Sequence, residues 1–132
     1  MGTMQARVVH IGIDRPWQSV YAFAADPQTM PRWASGLADG LTQEGADWVA
    51  EGPLGAIRIR FSPDNEFGVI DHVVTMPSGQ TVTNALRVIP NGDGAEVMFT
   101  LLRQPDMDDS QFAADAEWIM KDLKSLKALL EQ

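Results

Sequence analysis

The side chains best able to do chemistry lie around the neighbouring residues Asp71 and His72. A carboxylate beside an imidazole suggests acid–base catalysis, in which both groups exchange a proton with a substrate. Neighbouring residues of a β-strand point to opposite faces, however, so the two cannot act as a pair if this segment is a strand. We therefore interpret His72 as a surface or hydrogen-bonded structural histidine, and we assign no role as a base to His10.

The composition disfavours several other kinds of chemistry. The chain has no cysteine, so it has no thiolate nucleophile, disulfide or zinc–thiolate centre. Its two histidines have no carboxylate at a metal-site spacing, and the sequence contains no phosphate or dinucleotide loop. Neither a metal nor a cofactor is predicted.

Charge and hydropathy limit the partners. Ten Lys and Arg face 18 Asp and Glu among 132 residues, for a net charge of −8, whereas binding to nucleic acid needs clustered cations. No apolar run approaches the roughly 20 residues of a membrane span. We expect no nucleic-acid partner, no stable membrane insertion and a cytoplasmic location.

Hydrophobic periodicity predicts the elements that must position these side chains. Gln5–Ile13 is typical of a strand. Pro16 then opens a helix, because a first turn tolerates the missing proline N–H. A second short helix is predicted over residues 27–35, broken or bent at Pro31.

From residue 41 onward the hydrophobic period changes to two, which indicates strands. Strands are predicted at Leu41–Glu44, Asp47–Glu51, Ala56–Phe61, Phe67–Met76, Thr81–Ile89 and Ala95–Arg103. The turns between them are predicted at Gly52-Pro53, Ser62–Asn65, Pro77–Gly79 and Asn91–Gly94. Short connections of this composition join antiparallel neighbours.

The last predicted element is a long amphipathic helix that begins after Asp106. Aspartates crowd its start and lysines its end, as the helix dipole favours. One apolar stripe runs along it, formed by Phe112, Ala116, Ile119, Leu123, Leu126 and Leu130. We predict one α+β domain over residues 1–132, with a curved antiparallel sheet of six to seven strands, two short helices after strand 1 and the long helix packed across the sheet.

Pairing the late strands around their turns predicts which side chains share a face. A turn at Ser78-Gly79 places Asp71 opposite Leu86, and a turn over Asn91–Gly94 places Leu86 opposite Phe99. The more apolar face is predicted to meet the helix. It carries Phe67, Val69, Asp71, Val73, Val82, Asn84, Leu86, Val88, Val97, Phe99 and Leu101.

Asp71 and Asn84 are the polar members of this predicted inner face. They either satisfy one another or a nearby backbone group, or they orient a ligand in a cavity. An Asp71 carboxyl placed there would have a raised pKa unless a cation were close. Arg58 and Arg60 alternate with apolar residues, and hydrophobicity favours both arginines in solvent, although a one-residue slip would turn them inward.

Two pairs of segments carry a family resemblance. VYAFAADPQTMPRWA and DLKSLKALL, together with the element order, resemble the START-like helix-grip superfamily (SRPBCC), which includes polyketide cyclase/dehydrase-like proteins, lipid-transfer domains and plant pathogenesis-related binding proteins. NEFGVIDHVVTMPSGQTV and LRVIPNGDGAEVMFTLLRQP resemble a bacterial subgroup of it without an established activity. The resemblance implies a cavity between sheet and long helix, with Trp33 near its mouth. It supplies no catalytic motif.

Three functions are compatible with these observations. The chain binds a small hydrophobic or amphipathic molecule, or it is a cyclase- or dehydratase-like enzyme with Asp71 as acid or base and Asn84 as orienter, or it is an interaction module with a vestigial cavity. Homodimer formation also stays open, because Trp118 lies off the apolar stripe. The predicted ligand-binding residues are Trp33, Asp71, Asn84, Leu86, Phe99, Phe112, Ile119 and Leu123.

Overall fold

A computed structural model of the chain describes residues 2–52 and 55–132. Within them, seven strands form one antiparallel sheet in the order β1-β7-β6-β5-β4-β3-β2. The strands are β1 Ala6–Ile13, β2 Thr42–Glu44, β3 Asp47–Gly52, β4 Gly55–Phe61, β5 His72–Thr75, β6 Thr81–Asn91 and β7 Gly94–Leu102. This architecture confirms the predicted α+β sheet. The turn predicted at Gly52-Pro53 lies partly outside the described residues.

The helices follow the predicted order with one difference. Helix α1 spans Trp17–Ala24, directly after Pro16. The single short helix predicted over residues 27–35 is instead two 3-10 helices, Met30–Arg32 and Ser35–Leu37. The backbone between them turns extended at Ala34, with ψ of 100°, so the helix cannot continue. None of the described helices has the length and apolar character that a bilayer crossing requires.

Helix α2 spans Asp109–Leu130 and begins at a side-chain cap. The carboxylate of Asp108 accepts a hydrogen bond from the Gln111 N–H at 2.8 Å. This bond satisfies one of the amide groups that a first turn leaves unpaired.

Removing this cap is expected to destabilise the chain moderately. Asp108→Ala should lower the free energy of unfolding by about 0.5–2 kcal/mol, since an orphaned N–H is re-exposed. Asp108→Asn keeps an acceptor oxygen and should cost less than the alanine variant. Urea denaturation measures both, and equal losses would contradict the capping role.

The core lies between the inner face of the sheet and the apolar stripe of α2. Val88 and Val97 are fully buried from the sheet, and Leu123 and Leu126 from the helix. Helix α2 packs chiefly along β1. The predicted inner face is therefore confirmed for β6 and β7.

The β5–β6 register differs from the predicted one by a residue. Thr75 pairs with Thr81, and His72 pairs with Asn84. In the turn, the Met76 N–H donates to the Gln80 carbonyl at 2.8 Å. A three-residue loop with a glycine in the left-handed region explains the shift, because it adds one bulged residue. Gly79 supplies that residue, with φ of +90°.

This shift reverses the faces of the segment before the turn. Ile70 is buried, whereas Phe67 is 78% exposed and Val73 lies on the outer face. Asp71 moves to the outer face and His72 to the inner one, because a one-residue slip exchanges the two sides of a strand. The predicted inward positions of Phe67, Asp71 and Val73 are wrong.

The arginines of β4 point outward, as hydrophobicity favoured. Ile59 is buried between them. Arg58 Nη2 lies 2.9 Å from Glu44 Oε1, and Arg60 Nε lies 2.7 Å from Asp47 Oδ1. These pairs lie on the solvent side of the sheet, where each contributes about 0–1 kcal/mol.

Candidate functional site

A cavity of about 270 Å³ lies between the inner face of β6–β7 and the N-terminal half of α2. Seven of its ten lining residues are aromatic or aliphatic, counting Met107. The lining consists of Val82, Asn84, Phe99, Leu101, Leu102, Gln104, Met107, Asp115, Trp118 and Ile119. An apolar hollow with a few placed polar groups is the usual form of a small-molecule site.

A second hollow, on the outer face, lacks this character. Its volume is about 400 Å³, and it is lined by Asp47, Arg58, Arg60, Val73 and Thr75. Its charged groups already pair with one another. The cavity beneath α2 is therefore the better candidate.

Asn84, Gln104 and Asp115 are the polar residues of the cavity wall. Gln104 Nε2 donates to the carbonyl of Leu102 at 3.2 Å. Partial burial raises the pKa of Asp115, because desolvation disfavours its charged form. The wall thus combines a large apolar surface with a small number of oxygen acceptors.

His72 lies beside Asn84 on the inner face, directly opposite it on β5, and fixes the direction of its amide. His72 Nδ1 lies 2.9 Å from the carbonyl of Ile70, which can only accept, so Nδ1 carries the proton. Nε2 is then an acceptor, and Asn84 Nδ2 lies 3.4 Å from it, a long hydrogen bond. Burial lowers the pKa of His72, which favours this neutral ring.

The structure brings three of the predicted site residues to the cavity and leaves three others in the core. Asn84, Phe99 and Ile119 line the wall. Leu86, Phe112 and Leu123 are buried in the hydrophobic core and do not line it.

Trp33 was predicted near the cavity mouth. It is buried with 7% of its surface exposed, and it does not line the cavity. No acceptor among the described residues lies within hydrogen-bonding distance of its indole Nε1. Its contact with a ligand stays a prediction.

Asp71 does not reach the cavity. Its carboxylate accepts hydrogen bonds from Arg87 Nη2 at 2.8 Å and from the Leu86 N–H at 3.0 Å. The hydrogen bond from Arg87 lowers the pKa of Asp71, opposite to the rise expected inside an apolar cavity. The Asp71 carboxylate therefore lies on the outer face of the sheet, away from the cavity in which it would act as acid or base.

Replacing Asp71 tests this placement. Asp71→Asn should lower the free energy of unfolding at pH 7 by about 0.5–1 kcal/mol, since an ion pair to an exposed arginine is worth little. A carboxylate whose pKa is lowered in the folded state stabilises the fold at pH values above its unfolded-state pKa. The loss of stability in Asp71→Asn should therefore vanish as the pH falls through the pKa of the folded state. Urea denaturation against pH measures it. If the two proteins differed as much in free energy of unfolding at low pH as at pH 7, the ion pair would be contradicted.

Sequence reasoning missed some of the cavity wall. Gln104, Met107 and Trp118 had no periodic signal that marked them as wall residues. Asp115 had one, because it precedes Ile119 by four residues and therefore shares its side of α2.

Comparison with known proteins identifies the fold. No protein-family model and no curated protein matches the sequence. Among solved structures, a START superfamily protein from Mycobacterium smegmatis is 12% identical with a TM-score of 0.69, covering 99% of both chains. The Aha1 dimer from Colwellia psychrerythraea is 16% identical with a TM-score of 0.74, covering 97% of both.

A third structure comes from a biosynthetic locus. DynU16, from the dynemicin locus, is 14% identical with a TM-score of 0.75, covering 96% of this chain and 47% of its own. At these identities the likeness concerns the fold alone. The chain has the START-like helix-grip fold that its sequence indicated.

Proposed function

We propose that the chain binds a small hydrophobic or amphipathic molecule in the cavity between β6–β7 and α2. The observation that carries this proposal is a hollow of about 270 Å³ whose wall is mostly apolar. That volume lies just below the roughly 300–1,000 Å³ found for small-molecule sites. A ligand of one to three rings is the size we expect.

The apolar character of the wall supports a ligand more than a vestigial cavity. Apolar side chains that border water instead of protein lose the free energy of burial. Here Val82, Phe99 and Ile119 border open space, although each stands on a regular strand or helix. An apolar molecule would remove this surface from water and gain about 25 cal/mol for each Å² buried.

The cyclase- or dehydratase-like alternative has no comparable support. DynU16 belongs to a biosynthetic locus, but this says nothing of catalysis by the present chain. Asp71, the acid or base of that alternative, is paired with Arg87 on the outer face.

Self-association stays a prediction as well. The structural neighbour from Colwellia psychrerythraea is a dimer. In this chain Trp118 is 53% exposed while it also lines the cavity, so its exposure does not require a second copy. Sedimentation equilibrium of the purified chain measures the stoichiometry.

Two measurements on the purified chain test the proposed function. Native mass spectrometry should detect a copurified molecule of small mass. Thermal unfolding should show stabilisation by 2-naphthol, about 2.7 kcal/mol at 100 times its dissociation constant, since the ligand binds the folded state alone. A chain that carries no ligand and is stabilised by no apolar or amphipathic compound would refute the proposal.

A further inference from the structure

Three side chains of the cavity wall, Asn84, Gln104 and Asp115, carry acceptor oxygens. His72 Nε2 accepts one of the two amide N–H groups of Asn84 at 3.4 Å, which leaves the carbonyl oxygen Oδ1 and the second N–H for a ligand. Within the described residues, this is the one hydrogen bond that the Asn84 side chain makes. The hydrogen bonds of His72 to the Ile70 carbonyl and to Asn84 thus decide which end of the Asn84 amide is the acceptor oxygen.

Gln104 and Asp115 repeat this pattern. Gln104 donates one amide N–H to the Leu102 carbonyl, so its oxygen Oε1 and its second N–H stay available. Asp115 makes no hydrogen bond or ion pair with any described side chain and offers only acceptor oxygens while ionised. A ligand that donates a hydrogen bond matches these oxygens, and one that also accepts matches the remaining amide N–H groups and the Trp118 indole N–H.

The wall contains no cation that could hold an anion. Its one charged residue, within the described part of the chain, is Asp115. Two cations lie nearby. Arg103 Nη1 is 2.6 Å from Asp109 Oδ1, and the Lys121 ammonium is 5.9 Å from the centroid of the Trp118 ring. Neither lines the cavity. A carboxylate or phosphate would be desolvated beside a negative group, which is unfavourable.

Resting on the proposed function, we propose that the ligand is an uncharged aromatic molecule carrying a hydroxyl group, which donates its hydrogen bond to Asn84 Oδ1. The rings of Phe99 and Trp118 in the wall favour an aromatic body, since aromatic pairs gain beyond their buried area. An organic ammonium is a poorer match, because most of the wall is apolar and burying its charge is costly.

Four probes with one naphthalene body separate these chemistries. They are 2-naphthol, 2-methylnaphthalene, 2-naphthoate and 2-naphthylmethylamine, titrated calorimetrically into the purified chain. We expect 2-naphthol to bind about 2- to 12-fold more tightly than 2-methylnaphthalene, the value of one hydrogen bond, and 2-naphthoate to bind most weakly. Equal affinities, or tighter binding of the acid or the amine, would overturn the ligand assignment. Failure of all four to bind would instead count against the proposed function.

Substitutions locate the hydrogen bond. Asn84→Leu preserves shape and removes the acceptor, so the preference for 2-naphthol over 2-methylnaphthalene should disappear while 2-methylnaphthalene still binds. Thr83→Leu, one residue away on the outer face, is the matched control and should keep the preference. Asp115→Asn removes the negative charge of the wall and should strengthen 2-naphthoate binding. If Asn84→Leu still preferred 2-naphthol, the role of Asn84 would be overturned. If a variant does not fold, the four-probe comparison on the wild-type chain alone decides the ligand assignment.

Discussion

Replacing Val82 with phenylalanine is expected to weaken the binding of 2-naphthol by about 5- to 150-fold. Val82 lies on β6 and lines the cavity, so a larger side chain occupies space that the ligand needs. Overfilling a packed site costs about 1–3 kcal/mol, which corresponds to that range of dissociation constants. Without ligand, the added ring fills a hollow, and the free energy of unfolding should not fall.

The adjacent strand offers a matched control. Val73 lies on the outer face of β5 and is 37% exposed, so Val73→Phe adds the same atoms away from the cavity. Calorimetric titration of both variants should show a loss of affinity for Val82→Phe alone. Equal affinities in the two variants would contradict a site beneath α2.

Gly68→Ala is expected to lower the free energy of unfolding by about 3–5 kcal/mol. A Cβ atom at this position would lie 2.0 Å from the carbonyl oxygen of Val88, a backbone atom of β6 that cannot move aside. Val88 also donates its backbone N–H to the Gly68 carbonyl at 2.9 Å. The φ of +74° adds about 1–2 kcal/mol for any residue with a side chain.

Gly92→Ala separates the clash from the backbone strain. Gly92 has a φ of +58° but no atom within 4 Å of a built Cβ, so alanine there should cost only about 1–2 kcal/mol. Urea denaturation of both variants gives the comparison. Similar losses at the two positions would mean that the segment around Gly68 does not cross β6 as closely as described.

The turn after β5 shows why a fold can be predicted while half of its inner face is not. Alternation along β6 and β7 was strong enough to place Leu86 and Val97 inward, and the two-residue loop between the strands kept their register. The loop after Met76 added a bulge at Gly79, and one extra residue reversed the segment before it. Pro77 followed by Ser78-Gly79 is typical of such a loop, so the signal was present in the sequence.

That reversal decides the chemistry assigned to two neighbours. Asp71 alternated with valines, and its pattern alone could not reveal the arginine that pairs with it 16 residues later. His72 was assigned a structural role, and the structure places it in hydrogen bonds beside the wall residue Asn84. Side-chain partners across strands depend on register, which hydrophobic periodicity fixes only where one face is clearly the more apolar.

The helix was the more predictable half of the site. The stripe from Phe112 to Leu130 is buried or partly buried along its length, because a period of 3.6 residues leaves little freedom in which side faces the sheet. Which stripe residues touch open space was not predictable. Ile119 lines the cavity whereas Leu123 is buried in the core. This difference between the two residues depends on how far the sheet curves away from α2.

Intermolecular nuclear Overhauser effects between bound 2-naphthol and the methyl groups of the chain test the central claim most directly. We predict effects from the ring protons to the methyl groups of Leu101, Met107 and Ile119, which line the cavity. Effects confined to Val8 and Val73, whose side chains are exposed outside the cavity, would contradict the claim that the ligand lies beneath α2.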